Sequence, residues 1–114
     1  MKLAIICCLH GTEPCGLAVA KQFSPNIPFF IGNKEALEKN VRFIDADLNR
    51  CFPGNINGNY EERIAYDLLK NVEGFDVIID LHSSSNACPL FGLITKPNSR
   101  KIEFARNLGL SKLV

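Results

Sequence analysis

Histidine occurs only twice in the 114 residues, as His10 and His82. The five cysteines include no C-x-x-C pair, which argues against a cysteine zinc knuckle. No apolar run is long enough to cross a bilayer, and the apolar residues 1–9 are followed by no small-residue cleavage site, so we expect neither a membrane span nor a signal peptide. The 13 lysines and arginines are scattered among 12 acidic residues, so no basic stripe indicates nucleic-acid binding.

The remaining composition is that of an ordinary globular protein, with 46% hydrophobic and 22% charged residues and a formal net charge of +1. A chain of 114 residues allows one domain with one core. Cys7 and Cys8 lie in an apolar run, which favours reduced cysteines and a cytoplasmic location. Cys15 and Cys88 lie near the histidines in sequence, but the sequence shows no Cys–His pairing, so a catalytic cysteine is the weaker interpretation.

Strand and helix signals alternate along the chain. The continuous apolar run at residues 3–9 predicts a strand buried on both faces, and residues 76–81 predict a second. The clearest predicted helix covers residues 60–72, where apolar side chains recur every three to four positions. Weaker signals predict strands at 27–31, 41–44, 90–95 and 113–114, and helices at 16–23, 34–39 and 99–108. The fold class is therefore α/β, with a mostly parallel or mixed sheet flanked by helices.

His10 and His82 each follow a predicted apolar strand, and ligand sites in such sheets collect at the carboxyl ends of strands. Glu13 comes three residues after His10, across a turn that Gly11 permits. Two histidines, one carboxylate and an open position for water are typical of catalytic zinc. Taken alone, H-x-x-E is a weak pattern, and a histidine at a strand end often only hydrogen-bonds to a neighbour.

Four sequence segments, taken in their order along the chain, are more specific than H-x-x-E alone. They are H-G-T-E at residues 10–13, R-F-I-D-A-D-L-N-R-C-F at 42–52, Y-E at 60–61 and D-L-H-S at 80–83. This combination resembles the aspartoacylase/succinylglutamate desuccinylase family, which has the zinc carboxypeptidase fold. The resemblance implies that residues 1–114 form the N-terminal part of a zinc hydrolase catalytic domain.

The resemblance also implies the metal site. It implies one Zn²⁺ ion per chain, with His10, Glu13 and His82 as ligands and with Asp47 accepting a hydrogen bond from His10. A metal-bound histidine usually needs such an acceptor on its other ring nitrogen. Without the resemblance, Asp47 and its neighbour Asp45 are equally well explained as residues that cap the following turn.

For the substrate, the resemblance implies that Arg42 polarises the scissile carbonyl and stabilises its oxyanion. It implies that Asn49 and Arg50 bind a substrate carboxylate, which suits a guanidinium because its fork can grip both oxygens. Without the resemblance, Arg42 is explained as a solvated strand residue, and Asn49 and Arg50 are explained by a surface ion pair with Glu61 or Glu62. Glu61 is interpreted as a helix-start residue with no catalytic role.

The implied activity is zinc-dependent removal of an N-acyl group from a small acidic amino acid. The alternatives are a metallocarboxypeptidase that acts on a peptide C-terminus and a non-catalytic zinc-binding fragment. The serines at 83–85 are not interpreted as nucleophiles because no G-x-S-x-G segment is present.

The resemblance does not cover the whole family pattern. The family's general base is a glutamate on a later strand, and no residue here matches it, since Glu103 has different surroundings. Thr12 also stands where the family commonly has asparagine. We therefore expect a chain shortened at its C-terminus, with exposed apolar surface that favours a homo-oligomer.

Overall fold

Three parallel strands form one sheet in the computed structural model, which describes all 114 residues. Strand β1 (Leu3–Cys7) lies in the centre, between β2 (Phe29–Ile31) and β3 (Val77–Leu81). β1 is buried on both faces, as its continuous apolar run predicts. The register aligns Cys7 with the last residue of β3, so the carboxyl ends of these strands lie side by side. The predicted α/β class is confirmed, and the sheet is entirely parallel.

Five helical segments accompany the sheet: α1 (Cys15–Phe23), α2 (Lys34–Lys39), a short 3-10 helix (Leu48–Arg50), α3 (Tyr60–Val72) and α4 (Ser99–Asn107). Asparagine side chains accept a hydrogen bond from a first-turn N–H at the start of α2, α3 and α4. The helix predicted from apolar periodicity at residues 60–72 has the same bounds as α3.

Two apolar clusters lie on opposite faces of the sheet. On one face, α1 packs through Ala20 against Ile5 and Cys7 of β1. On the other face, α3 packs through Ala65 and Leu68, together with residues of β1 and β2. Because successive strand residues point to opposite faces, a continuously apolar β1 can contribute to both clusters. The sheet is thus covered by helices on both sides.

Strand β3 is less buried than its apolar sequence predicts. Ile79 and Leu81 are partly buried and pack with the α1 cluster, whereas Ile78 and Asp80 are exposed. The cluster around α3 contains residues from β1 and β2 but none from β3. β3 is an edge strand, and its second face therefore lies open.

Three predicted strands are wrong. Residues 41–44 form no strand because the Ile44 N–H donates to the side chain of Glu61 rather than to a neighbouring strand. Residues 90–95 and 113–114 form only a single parallel bridge between Gly92 and Leu113. A short apolar run without a long partner therefore does not build a strand.

The chain divides into two compact units, Met1–Ser83 and Ser84–Val114. The first unit contains the sheet, α1, α2, α3 and the 3-10 helix, and the second contains α4 and the bridge. α4 ends just before Gly109, whose positive φ of 85° suits the residue that follows a helix. No helix in the chain combines the length and the apolar character needed to cross a membrane.

Candidate active site

The turn after β1 carries His10 and Glu13 into the protein interior. Cys8 directly follows the strand with a φ of 57°, a left-handed conformation that turns the chain, and Leu9 is then buried in the α3 cluster. His10 and Glu13 are 4% and 7% exposed. Two polar side chains at this depth need partners, and His10 Nδ1 lies 2.5 Å from Glu13 Oε2.

Gly11 is required in this turn because main-chain atoms of other residues lie close to it, and not because the turn needs a special backbone conformation. Its φ is not positive, so the sharp turn does not depend on left-handed backbone. A Cβ at Gly11 would instead lie 2.2 Å from main-chain atoms of Ala36 and Val41. The Gly11 N–H also donates to the Arg42 carbonyl at 3.1 Å. Close approach of residues 36–42 therefore excludes any side chain.

The end of β3 brings His82 to the same carboxylate. His82 Nδ1 lies 3.3 Å from Glu13 Oε1, and the Ser83 N–H donates to that oxygen at 2.6 Å. One ligand atom from each of His10, Glu13 and His82 lies within 4.8 Å of the other two. The structure therefore brings together the three residues for which the resemblance implies a shared metal.

The second ring nitrogen of each histidine faces an aspartate. His10 Nε2 lies 2.8 Å from Asp47 Oδ1, and His82 Nε2 lies 2.8 Å from Asp80 Oδ2. The Asp47 contact is the one that the resemblance implies. Asp80 has no role in the sequence analysis, although a strand period of two places residues 80 and 82 on the same side. That spacing is the signal from which the Asp80 contact could have been predicted.

These contacts fit a zinc ion. Both histidines turn Nδ1 toward one carboxylate and Nε2 toward a separate aspartate. With a metal bound by Nδ1, this arrangement would leave the proton on Nε2, where the aspartate can accept a hydrogen bond from it. Two imidazoles and one carboxylate are also the donor set of many catalytic zinc sites. The residues present are therefore suited to hold Zn²⁺ through His10, Glu13 and His82.

The electrostatics of the cluster favour positive charge. The hydrogen bond to Asp80 raises the pKa of His82 above its usual range, with burial opposing this and the charges of Asp80 and Glu13 adding to it. Burial alone would raise the pKa of Asp47, but the hydrogen bonds from His10 and the Asn49 N–H, with the charges of His10 and Arg42, hold that pKa below its usual range. Three carboxylates around two imidazoles attract a cation.

Asp47 also connects the histidine cluster to Arg42. Its second oxygen, Oδ2, lies 3.5 Å from Arg42 Nη2, and the Arg42 side chain is 55% exposed. Asp47 caps the 3-10 helix by accepting the Asn49 N–H at 2.9 Å. Leu48, the next residue, is fully buried in the α3 cluster and anchors this helix. Arg42 therefore lies beside the cluster with more than half of its side chain exposed.

Asn49 and Arg50 lie on the 3-10 helix directly after this anchor, and both are exposed. Arg50 Nη1 donates to the Asn49 carbonyl at 3.2 Å. Neither side chain hydrogen-bonds to His10, Glu13 or His82. Both residues therefore follow Asp47 on the same 3-10 helix, and their exposed side chains are accessible to a ligand.

Two cysteine thiols contact residues of this cluster, but only through their main chain: Cys8 Sγ donates to the Glu13 carbonyl at 3.5 Å, and Cys51 Sγ donates to the Asp47 carbonyl at 3.2 Å. All five are free, and burial raises the pKa of Cys7 to about 12 and raises that of Cys8. A buried thiol with a raised pKa is a poor nucleophile. Cys15 and Cys88 are exposed. The weaker interpretation, a catalytic cysteine, gains no support from these environments.

Comparison with known proteins supports a single family. The chain is 31% identical to aspartoacylase of Danio rerio, with 75% of the chain and 34% of the relative covered. It is 35% identical to a probable aspartoacylase of Acaryochloris marina, with 67% of the chain and 32% of the relative covered. The chain thus spans about a third of the length of these curated relatives.

Solved structures share the fold. Succinylglutamate desuccinylase of Chromobacterium violaceum superimposes with a TM-score of 0.74 at 17% identity, covering 98% of this chain and 46% of that one. Murine aminoacylase 3 gives a TM-score of 0.57 at 24% identity, covering 72% of this chain and 35% of that one. The family model of the succinylglutamate desuccinylase/aspartoacylase catalytic domain matches residues 1–114. The chain therefore belongs to the succinylglutamate desuccinylase/aspartoacylase family.

Proposed function

We propose that this protein is a zinc-dependent amidohydrolase that removes an N-acyl group from a small acidic amino acid. The observation that carries the proposal is the convergence of His10, Glu13 and His82 within 4.8 Å, with an aspartate behind each histidine. Membership of the family supports hydrolysis of an amide as the reaction class.

A zinc ion at this site would polarise the amide carbonyl and lower the pKa of a water molecule. Arg42 lies beside the cluster, where its partly exposed guanidinium can donate hydrogen bonds to the carbonyl oxygen as negative charge develops there. With zinc held by the Nδ1 atoms, Asp47 would accept a hydrogen bond from His10 Nε2, and Asp80 would accept one from His82 Nε2. These two contacts keep both Nδ1 atoms directed toward the metal position.

Arg50 and Asn49 would bind the substrate's free carboxylate. A guanidinium offers two parallel charge-assisted hydrogen bonds to a carboxylate, and the amide of Asn49 offers a neutral donor beside it. Both residues are exposed, and the single hydrogen bond of the Arg50 side chain goes to the Asn49 carbonyl. Their donors are therefore available, and an acidic N-acyl amino acid is the substrate class that matches them.

The general base remains a prediction of the resemblance, which matches it to no residue of this chain. A cytoplasmic location and a small-molecule substrate complete the proposal. A homo-oligomer also remains a prediction, which sedimentation velocity at increasing protein concentration tests directly.

The test is hydrolysis of N-succinylglutamate and of an N-acylaspartate by the purified chain, with zinc and after treatment with a chelator. We expect zinc-dependent release of the free amino acid by wild type and no release by His82→Ala. Release at the same rate from His82→Ala would contradict the proposal. Zinc binding without any release would favour the non-catalytic alternative, and preferential cleavage of a peptide C-terminus would favour the carboxypeptidase.

A further inference from the structure

Glu61 is a fully buried carboxylate on the core face of α3. Its exposed fraction is 0%, and it shares the buried side of the helix with Ala65, Leu68 and Val72. A helix of this kind normally carries an apolar residue at such a position, since burying an unpaired charge is costly. No cation contacts Glu61, so its charge must be compensated in another way.

Four N–H donors surround this carboxylate. Oε1 accepts the backbone N–H groups of Asp45 at 2.7 Å and Ala46 at 3.0 Å. Oε2 accepts the Ile44 N–H at 2.9 Å and the Asn33 Nδ2–H at 2.8 Å. Burial alone would raise the pKa of Glu61, but the three backbone hydrogen bonds and the one from Asn33 lower it. Each oxygen therefore satisfies two donors, which only an ionised carboxylate can do.

The three backbone donors belong to the segment that leads to the metal cluster. Ala46 immediately precedes Asp47, whose carboxylate contacts His10 Nε2. At the other end of the segment, the Arg42 carbonyl accepts the Gly11 N–H. Between these two ends, residues 43–46 belong to no helix or strand. The Glu61 carboxylate takes the place of a neighbouring strand for this stretch of backbone.

We propose that Glu61 is a positioning residue that fixes residues 44–46 so that Asp47 meets His10. The proposal deepens the proposed function, because Asp47 and Arg42 act in that site, but the contact it predicts exists with or without catalysis. Glu61 itself touches neither His10 nor Asp47, so its effect on His10 passes through the backbone.

The test is Glu61→Gln, which keeps the size of the side chain and replaces one acceptor oxygen with an NH₂ donor. Whichever way the amide is oriented, at least one backbone N–H of residues 44–46 loses its acceptor. The readout is the imidazole ¹⁵N and ¹H NMR signals of the zinc-free chain. We expect the His10 signals to shift and the Nε2–H of His10 to exchange faster, while the His82 signals stay unchanged, because His82 is held by Asp80.

Glu62→Gln is the matched control, since Glu62 lies in the same helical turn and its side chain contacts none of these donors. It should leave both histidines unchanged. Equal changes at His10 and His82 in folded Glu61→Gln would show a general structural role and overturn the proposal. No change at either histidine would also overturn it.

A second variant guards against loss of folding. Asn33→Asp added to Glu61→Gln gives the new amide an acceptor and restores the link between α2 and α3, so the His10 signals should return partway to their wild-type positions. If neither variant folds, Glu61 supports the fold as a whole and the positioning role is overturned. All these readouts are independent of turnover, so failure of the hydrolysis assay leaves them interpretable.

Discussion

At the scale of single residues, the sequence indicates which side chains come together better than it indicates why the neighbouring residues are needed. His10, Glu13 and His82 converge, and Asp47 meets His10, where the resemblance places them. Gly11 was predicted to permit a sharp turn, but it is needed because other backbone lies too close for a Cβ. A single sequence does not show which backbone segments approach each other closely. Asp80 was missed although its spacing from His82 was visible.

Asp47→Asn tests the hydrogen bond behind His10. An amide can present NH₂ to Nε2 and lacks the charge that favours a protonated Nε2, so His10 Nδ1 becomes a poorer ligand. We expect the zinc affinity to fall by about 10–100-fold, as is usual for such partners. Competition with a chromophoric chelator measures it. Asp67→Asn, on the exposed side of α3, is the control, and equal affinities in the two variants would contradict the role of Asp47.

At the scale of elements, β1 and α3 were predicted correctly from long patterns, whereas most strands predicted from short apolar runs were wrong. The helix α3 was predicted with its bounds, because its pattern extends over 13 residues. The strand predicted at 41–44 was wrong because the Val41 N–H donates to the Ala36 carbonyl and the Ile44 N–H donates to the buried side chain of Glu61, and neither pairs with a strand. Such a partner, 17 positions away in sequence, leaves no local signal at residues 41–44.

Gly11→Ala tests the contact between the histidine turn and residues 36–42. The added Cβ would meet main-chain atoms at 2.2 Å, and backbone cannot move aside as a flexible side chain can. We expect a loss of about 3 kcal/mol in the free energy of unfolding, together with loss of bound zinc. Urea denaturation and metal analysis measure the two effects.

Gly74→Ala is the control for that substitution, since Gly74 has a φ of 90° and open space around it. Its cost should be about 1 kcal/mol from backbone strain alone, with zinc retained. If Gly11→Ala were as mild as this control, the close contact would not constrain the turn.

The buried Glu61 predicts a specific acid sensitivity. Its pKa is lower in the folded chain than the ordinary value of 4.5, so its contribution to stability is complete above pH 4.5 and is lost as the pH falls through the folded pKa. The difference in free energy of unfolding between wild type and Glu61→Gln should therefore shrink below pH 4.5. Urea titrations from pH 7 to about pH 3 measure this difference. A gap that stays constant, as expected for Glu62→Gln, would contradict it.

At the scale of the whole molecule, the comparisons explain what one sequence could and could not provide. The four sequence segments, taken in their order along the chain, indicated the family, and the family model and the relatives confirm it. The boundary between units Met1–Ser83 and Ser84–Val114 falls in the polar run of serines at residues 83–85, from which the sequence analysis predicted no division. All the residues of the candidate cluster fall in the first unit.

The most direct test of the central claim is the zinc content of the purified chain by elemental analysis, for wild type, His10→Ala and His82→Ala. Cys88→Ala is the control, because Cys88 is an exposed thiol outside the cluster. We expect about one zinc ion per chain in wild type and in the control, and loss of that zinc in both histidine variants. Folded wild-type protein without zinc, or histidine variants that retain it, would contradict the account.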